Sequence, residues 1–137
     1  MKLQESRIAR LAAVALLVAA AGLQAQTAPQ APAVKRNILY KQDMTLPGRE
    51  AVMAAVDLPP GSAEGRHSHP AEVFAFVQEG TILLEIEGKP TATLKAGDIF
   101  TLAPGQIHQA LNKGTATAKL AVVFVAEKGK PLTTPAP

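Results

Sequence analysis

Between Arg36 and Glu127 the chain never runs far without a turn signal, and that punctuation limits what it can become. "RNILYKQDMTL" (Arg36–Leu46) stops at Pro47-Gly48, and "EAVMAAVDL" (Glu50–Leu58) stops at Pro59-Pro60-Gly61. "EVFAFVQ" (Glu72–Gln78) turns at Glu79-Gly80, and "TILLEIE" (Thr81–Glu87) turns at Gly88-Lys89-Pro90. "TATLK" (Thr91–Lys95), "IFTL" (Ile99–Leu102), "QIHQALN" (Gln106–Asn112) and "TATAKLAVVFVAE" (Thr115–Glu127) follow, each bounded by Gly, Pro or both. Short β-rich runs with this spacing predict an all-β sandwich or barrel. The gaps are too short for helical crossovers, so the strands should pair mainly antiparallel. "LAVVFV" (Leu120–Val125) is apolar at both parities and predicts a central strand covered on both faces.

The sequence has 137 residues, enough for one domain. Its first segment reads as a secretory signal. "MKLQESRIAR" is basic, "LAAVALLVAAAGL" is an apolar run of 13 residues, and small residues follow at "QAQTAP". A run of that length falls short of the roughly 20 residues that span a bilayer. Residues 1–25 are therefore expected to be cleaved, leaving no stable membrane anchor and a periplasmic or extracellular protein. No cysteine is present to carry a lipid or a disulfide. The leader takes three basic residues and one acid, so 14 basic against 11 acidic residues become 11 against 10. That near-balance excludes a nucleic-acid-binding surface. Residues 26–35, "QTAPQAPAVK", read as a flexible linker, residues 36–128 as the folded domain, and residues 129–137, "GKPLTTPAP", as a tail that hangs free or lies over the surface.

The chain has three histidines. His67 and His69 stand at i and i+2 in "GRHSHP", so on an extended strand they face one side. Such a pair suits a shared cation, with His108 in "PGQIHQALN" available as a third ligand. Two surface histidines beside a proline turn would give the same spacing without any metal.

The residues around these histidines resemble the paired motifs of the cupin superfamily. The first motif runs from Gly61 across five residues to His67-Ser68-His69 and closes at Gly80. The second is carried by Gly97, Gly105, His108 and Asn112, with Ala103 where the motif has proline and Pro104 one place later. The resemblance extends over roughly Gln42 to Lys128. It implies a double-stranded β-helix, or jelly-roll barrel, with a metal in an internal pocket held by His67, His69, a carboxylate and His108.

The carboxylate of that motif falls at position 73, which is Val73, and Glu72 stands one place early. On a continuous strand residues 67, 69 and 73 share the inward face while Glu72 points out with Phe74 and Phe76. A β-bulge near Pro70 would turn Glu72 inward instead. With Val73 inside, the ligands are His67, His69 and His108 alone, a set that the superfamily uses with non-haem iron in thiol and β-diketone dioxygenases. Three neutral imidazoles leave the full charge on a divalent ion and suit iron, nickel, copper or zinc better than manganese. Gln106 and Asn112 share the parity of His108 and are pocket candidates; Asn112 serves equally to tie the Lys113-Gly114 turn. Phe74 and Phe76 serve sheet packing or the centre of a homodimer interface.

Three functions follow from these residues. The leading expectation is an exported metal-binding barrel with a small-molecule pocket and, if it is an enzyme, metal-dependent dioxygenase-like oxidation. The second is a barrel that binds a small ligand without chemistry. The third is a degenerate, metal-free barrel.

Overall fold

The computed structural model describes residues 28–137. The proposed leader, residues 1–25, lies outside the described residues. Residues 28–34 carry no regular structure, and strand pairing starts at Lys35.

The strands are β1 (Lys35–Asp43), β2 (Arg49–Leu58), β3 (His67–Ser68), β4 (Ala71–Glu79), β5 (Thr81–Ile86), β6 (Ala92–Lys95), β7 (Ile99–Leu102), β8 (His108–Leu111), β9 (Ala118–Glu127) and β10 (Thr134–Pro135). They form two five-stranded sheets, in the orders β1-β2-β9-β4-β7 and β10-β3-β8-β5-β6. The registered pairs are antiparallel throughout. The result is the expected all-β double-stranded β-helix.

Each sheet has one wet face, so its strands alternate apolar and polar. In β4, Ala71, Val73, Ala75 and Val77 are buried while Glu72, Phe74 and Phe76 are exposed. Val52, Ala54, Val56 and Leu58 of β2 and Leu120, Val122 and Phe124 of β9 complete this side of the core. Ile82 and Ala110 face them from the second sheet. β9 is central in its sheet, between β2 and β4. It is not covered on both faces as its composition suggested. Ala121, Val123 and Val125 are only half-buried: Met53, Phe74 and Phe76 flank this face, and no second sheet of the described residues is stacked on it.

The turn after β4 requires glycine on two counts. Gly80 has φ +77°, and a Cβ there would stand 2.8 Å from Ala118 Cα. This turn reverses the chain from one sheet into the other.

The two histidine-bearing segments lie against each other, antiparallel. Gly61 N–H donates to Asn112 O at 2.8 Å, and Asn112 N–H donates to Ser62 O at 2.9 Å. Glu64 N–H donates to Ala110 O at 3.0 Å, His67 pairs across from His108, and Gly105 N–H donates to His69 O at 2.8 Å. The C-terminal residues take part as well. β10 pairs with β3, Thr134 opposite Ser68 and Pro135 opposite His67, and Ala136 N–H donates to Arg66 O at 3.0 Å. The tail thus supplies a short edge strand next to the histidines.

Candidate metal centre

Direct cross-strand pairing brings His67 and His108 together, and His69 follows two residues along on the same side. The ring centroids are 4.3 Å apart for His67 and His108, 4.8 Å for His67 and His69, and 5.0 Å for His69 and His108. One ring nitrogen from each lies within 4.8 Å of the others, and all three residues are buried. Phe124 stands edge-on to His69, ring centroids 4.9 Å apart, and limits its rotation.

Each imidazole is oriented by a backbone carbonyl. His67 Nδ1 meets Gly65 O at 2.7 Å, His69 Nδ1 meets Leu132 O at 2.6 Å, and His108 Nδ1 meets Gln106 O at 3.0 Å. A carbonyl only accepts, so Nδ1 donates in each ring and Nε2 is the nitrogen left for a ligand. Carbonyl bonds of this kind are what fix a metal-ligating histidine in its tautomer and orientation.

Electrostatics favour the same state. Burial pushes His69 down from 6.5 to about 4, against the opposing pull of the Leu132 carbonyl and with help from the neighbouring imidazoles and Arg36. Burial likewise lowers His108, opposed by the Gln106 carbonyl and Glu64. Near neutral pH these are uncharged nitrogen donors, the form that binds a metal. The donor set fits a divalent transition ion: three imidazoles on three carbonyl anchors, buried together. It is a site able to coordinate such an ion.

The structure sorts the remaining candidates. Val73 is inward, 2 % exposed, and lines a cavity beside the histidines. Glu72 is exposed opposite Val125 on the outer face, since the β4–β9 register runs unbroken from Ala71 to Val77. No bulge near Pro70 turns it in. Gln106 contributes its carbonyl, while its side-chain Oε1 accepts the Ala103 N–H at 3.2 Å and closes the turn. Asn112 is fully buried yet faces away from the cavity. It donates to Leu58 O at 2.7 Å and Ala116 O at 2.8 Å and accepts the Gly114 N–H at 2.8 Å, so it ties the turn.

Sequence reasoning missed three parts of the site. The cavity, about 80 Å³, is walled by apolar side chains that include Val56, Val73, Leu102, Val122 and Phe124, but Arg36, Glu64 and Thr133 also line it. Glu64 is an acid that strand parity from His67 would have placed outside. Gly65, at φ +77°, breaks that parity. Leu132 and Thr133 come from the tail, whose Pro- and Thr-rich sequence carries no strand signal.

The profile of the cupin domain family matches residues 54–124, more than half of the sequence. This chain belongs to the cupin domain family. Among similar proteins is germin-like protein subfamily 2 member 1 of Arabidopsis thaliana, 32% identical over 89 residues, which covers 59% of this cupin and 41% of the plant protein. A recombinant oxalate oxidase in complex with glycolate superposes with a TM-score of 0.56 at 27% identity, over 62% of this chain and 45% of that one. An uncharacterized conserved protein with a double-stranded β-helix domain from Klebsiella pneumoniae superposes with a TM-score of 0.63 at 23% identity, over 78% and 90% of the two chains. The cupin thus spans less than half the length of the germin-like protein and the oxalate oxidase.

Two predictions arise from this geometry. Between pH 6.5 and about 4 the unfolded chain protonates His69 while the folded one does not. The metal-free fold should therefore lose stability as pH falls through that window, by up to about 3 kcal/mol from His69, with His108 adding in the same direction. Urea midpoints of the stripped protein at stepped pH check this; a flat or rising profile contradicts it. A chain ending at Lys128 loses the Leu132 carbonyl and should bind Zn²⁺ about 10–100-fold more weakly while still folding. Competition with a chromogenic chelator measures it, and equal affinity contradicts it.

Proposed function

We propose that this cupin is a metal-dependent oxidoreductase that acts on a small oxygen-chelating molecule, with dioxygenase-like chemistry. The observation that supports the reading best is Val73 at the carboxylate position beside three anchored, buried imidazoles. His67, His69 and His108 would hold the ion and leave its remaining positions to water and substrate. A bound Fe²⁺, Ni²⁺ or Cu²⁺ supplies Lewis acidity and, for iron or copper, a route to dioxygen.

The chain's own residues define the rest. Val73, Leu102, Val122 and Phe124 keep the cavity apolar and limit water around the reacting molecule. Three uncharged ligands leave the ion's double charge unreduced, which favours an anionic chelating substrate. Likeness to an oxalate oxidase bound to glycolate adds support for a small organic acid or a related chelator. The leader-like sequence of residues 1–25 supports action outside the cytoplasm.

The test is oxygen uptake by the metal-stripped protein on adding Fe²⁺ with acetylacetone or glycolate, beside a His67→Ala/His108→Ala variant. Wild type should bind Fe²⁺ stoichiometrically and consume oxygen, and the double variant should lose at least about tenfold in both, as removal of metal ligands requires. Equal metal content in the two proteins refutes the metal centre. Stoichiometric metal with saturable binding of acetylacetone or glycolate and no oxygen uptake would instead make it a binding module.

A further inference from the structure

One cation reaches the cavity wall among the described residues, and it is not there by sequence proximity. Arg36 lies on β1, an edge strand paired only with β2, where every residue is exposed. A guanidinium in that position is free to extend into water. It is instead folded over the cavity, with Nη2 2.9 Å from Glu64 Oε1. Glu64 is itself fixed. Its side chain is 11% exposed, its Oε2 accepts the Ala110 N–H at 3.2 Å, and its own N–H donates to Ala110 O at 3.0 Å. Ala110 is two residues after His108 on β8. A single clamp therefore ties Arg36 to the strand that carries a metal ligand.

Solvent screens the pair from one side, since Arg36 is 42% exposed at the side chain while Glu64 is 11% exposed. Its value lies in position. A guanidinium has five N–H donors in a rigid fork, and Glu64 is the one side-chain acceptor it meets among the described residues. The remaining donors are suited to a second carboxylate, which Arg binds with geometric selectivity. Below the fork the walls are apolar, with Ile38, Val56, Phe100 and Leu132 beside His69 and His108.

We infer that Arg36, held in place by Glu64, is the carboxylate-recognition residue of this pocket. The ligand is a short-chain acid whose carboxylate meets the fork and whose apolar body fills the cavity. Its second oxygen, a 2-oxo or 2-hydroxy group, points to the histidine centre, which reaches the cavity through His69 and His108. The cavity's size suits such an acid. This deepens the proposed function, and only the far end of the ligand rests on the metal centre.

The full chain stripped of metal with EDTA separates the two claims. It is titrated with 2-oxobutyrate and with the neutral 2-oxobutanamide, and binding is followed by NMR. Wild type should prefer the acid. R36M should raise the Kd for the acid about tenfold or more, the loss expected for a hydrogen bond to a charged group, and leave the amide unchanged. R36K, which keeps a cation without the fork, should recover part of the preference. If R36M does not fold, R36K alone carries the test and must still bind the acid more weakly than wild type. An unchanged Kd for the acid in the variant that folds, or no saturable binding of the acid to stripped wild type, overturns the inference. Zn²⁺ content of R36M after reloading should equal that of wild type. Failure of wild type to take up metal, with the preference for the acid intact, would sink the metal centre and leave the role of Arg36 standing.

Discussion

The site depends on one antiparallel contact, between residues 61–69 and residues 105–112. Backbone hydrogen bonds at Gly61, Ser62, Glu64 and Gly105 hold the two segments in register, and that register sets His67 opposite His108. A slip of one residue would turn a ring to the other face. Pairing this tight needs chain reversal at both ends of the segments. The prolines and glycines that punctuate the sequence provide it. The core of Val, Leu and Phe then fixes the distance between the sheets and encloses the rings in a dry space.

Enclosure also decides the charge state. Three imidazoles this close would repel one another if protonated, and burial already disfavours the charged form at His69 and His108. The carbonyls of Gly65, Leu132 and Gln106 then settle which nitrogen keeps the proton. Val73 removes the one carboxylate that would have balanced an ion at this point. Glu64, in the same cavity, is committed to Arg36 and Ala110 and does not join the histidine cluster. A divalent ion held by the three histidines would keep its double charge, and Arg36 keeps donors beyond its bond to Glu64, an arrangement suited to an anionic guest.

Strand spacing was legible because turns are a local property, written in Pro and Gly. The inward direction of Val73 and outward direction of Glu72 were legible because strand parity is local too. Parity does not reach Glu64, where the positive φ of Gly65 interrupts it and no side chain announces it. β3 and β10 have two residues each, too short for any periodic signal. The tail escaped notice for a deeper reason: its contribution to His69 is the backbone carbonyl of Leu132, a group every residue owns. Asn112 carried two readings on equal terms in the sequence. Only the positions of Leu58, Ala116 and Gly114 around it decide for the turn.

The central claim is that three imidazoles, and no carboxylate, form the protein's share of the metal site. X-ray absorption at the zinc edge of the Zn²⁺-loaded protein tests it most directly. The account predicts scattering from three imidazole rings with nitrogen at about 2.0–2.1 Å, the remaining position being filled by solvent. Fewer than three rings, or a protein carboxylate bound to the ion, would contradict it.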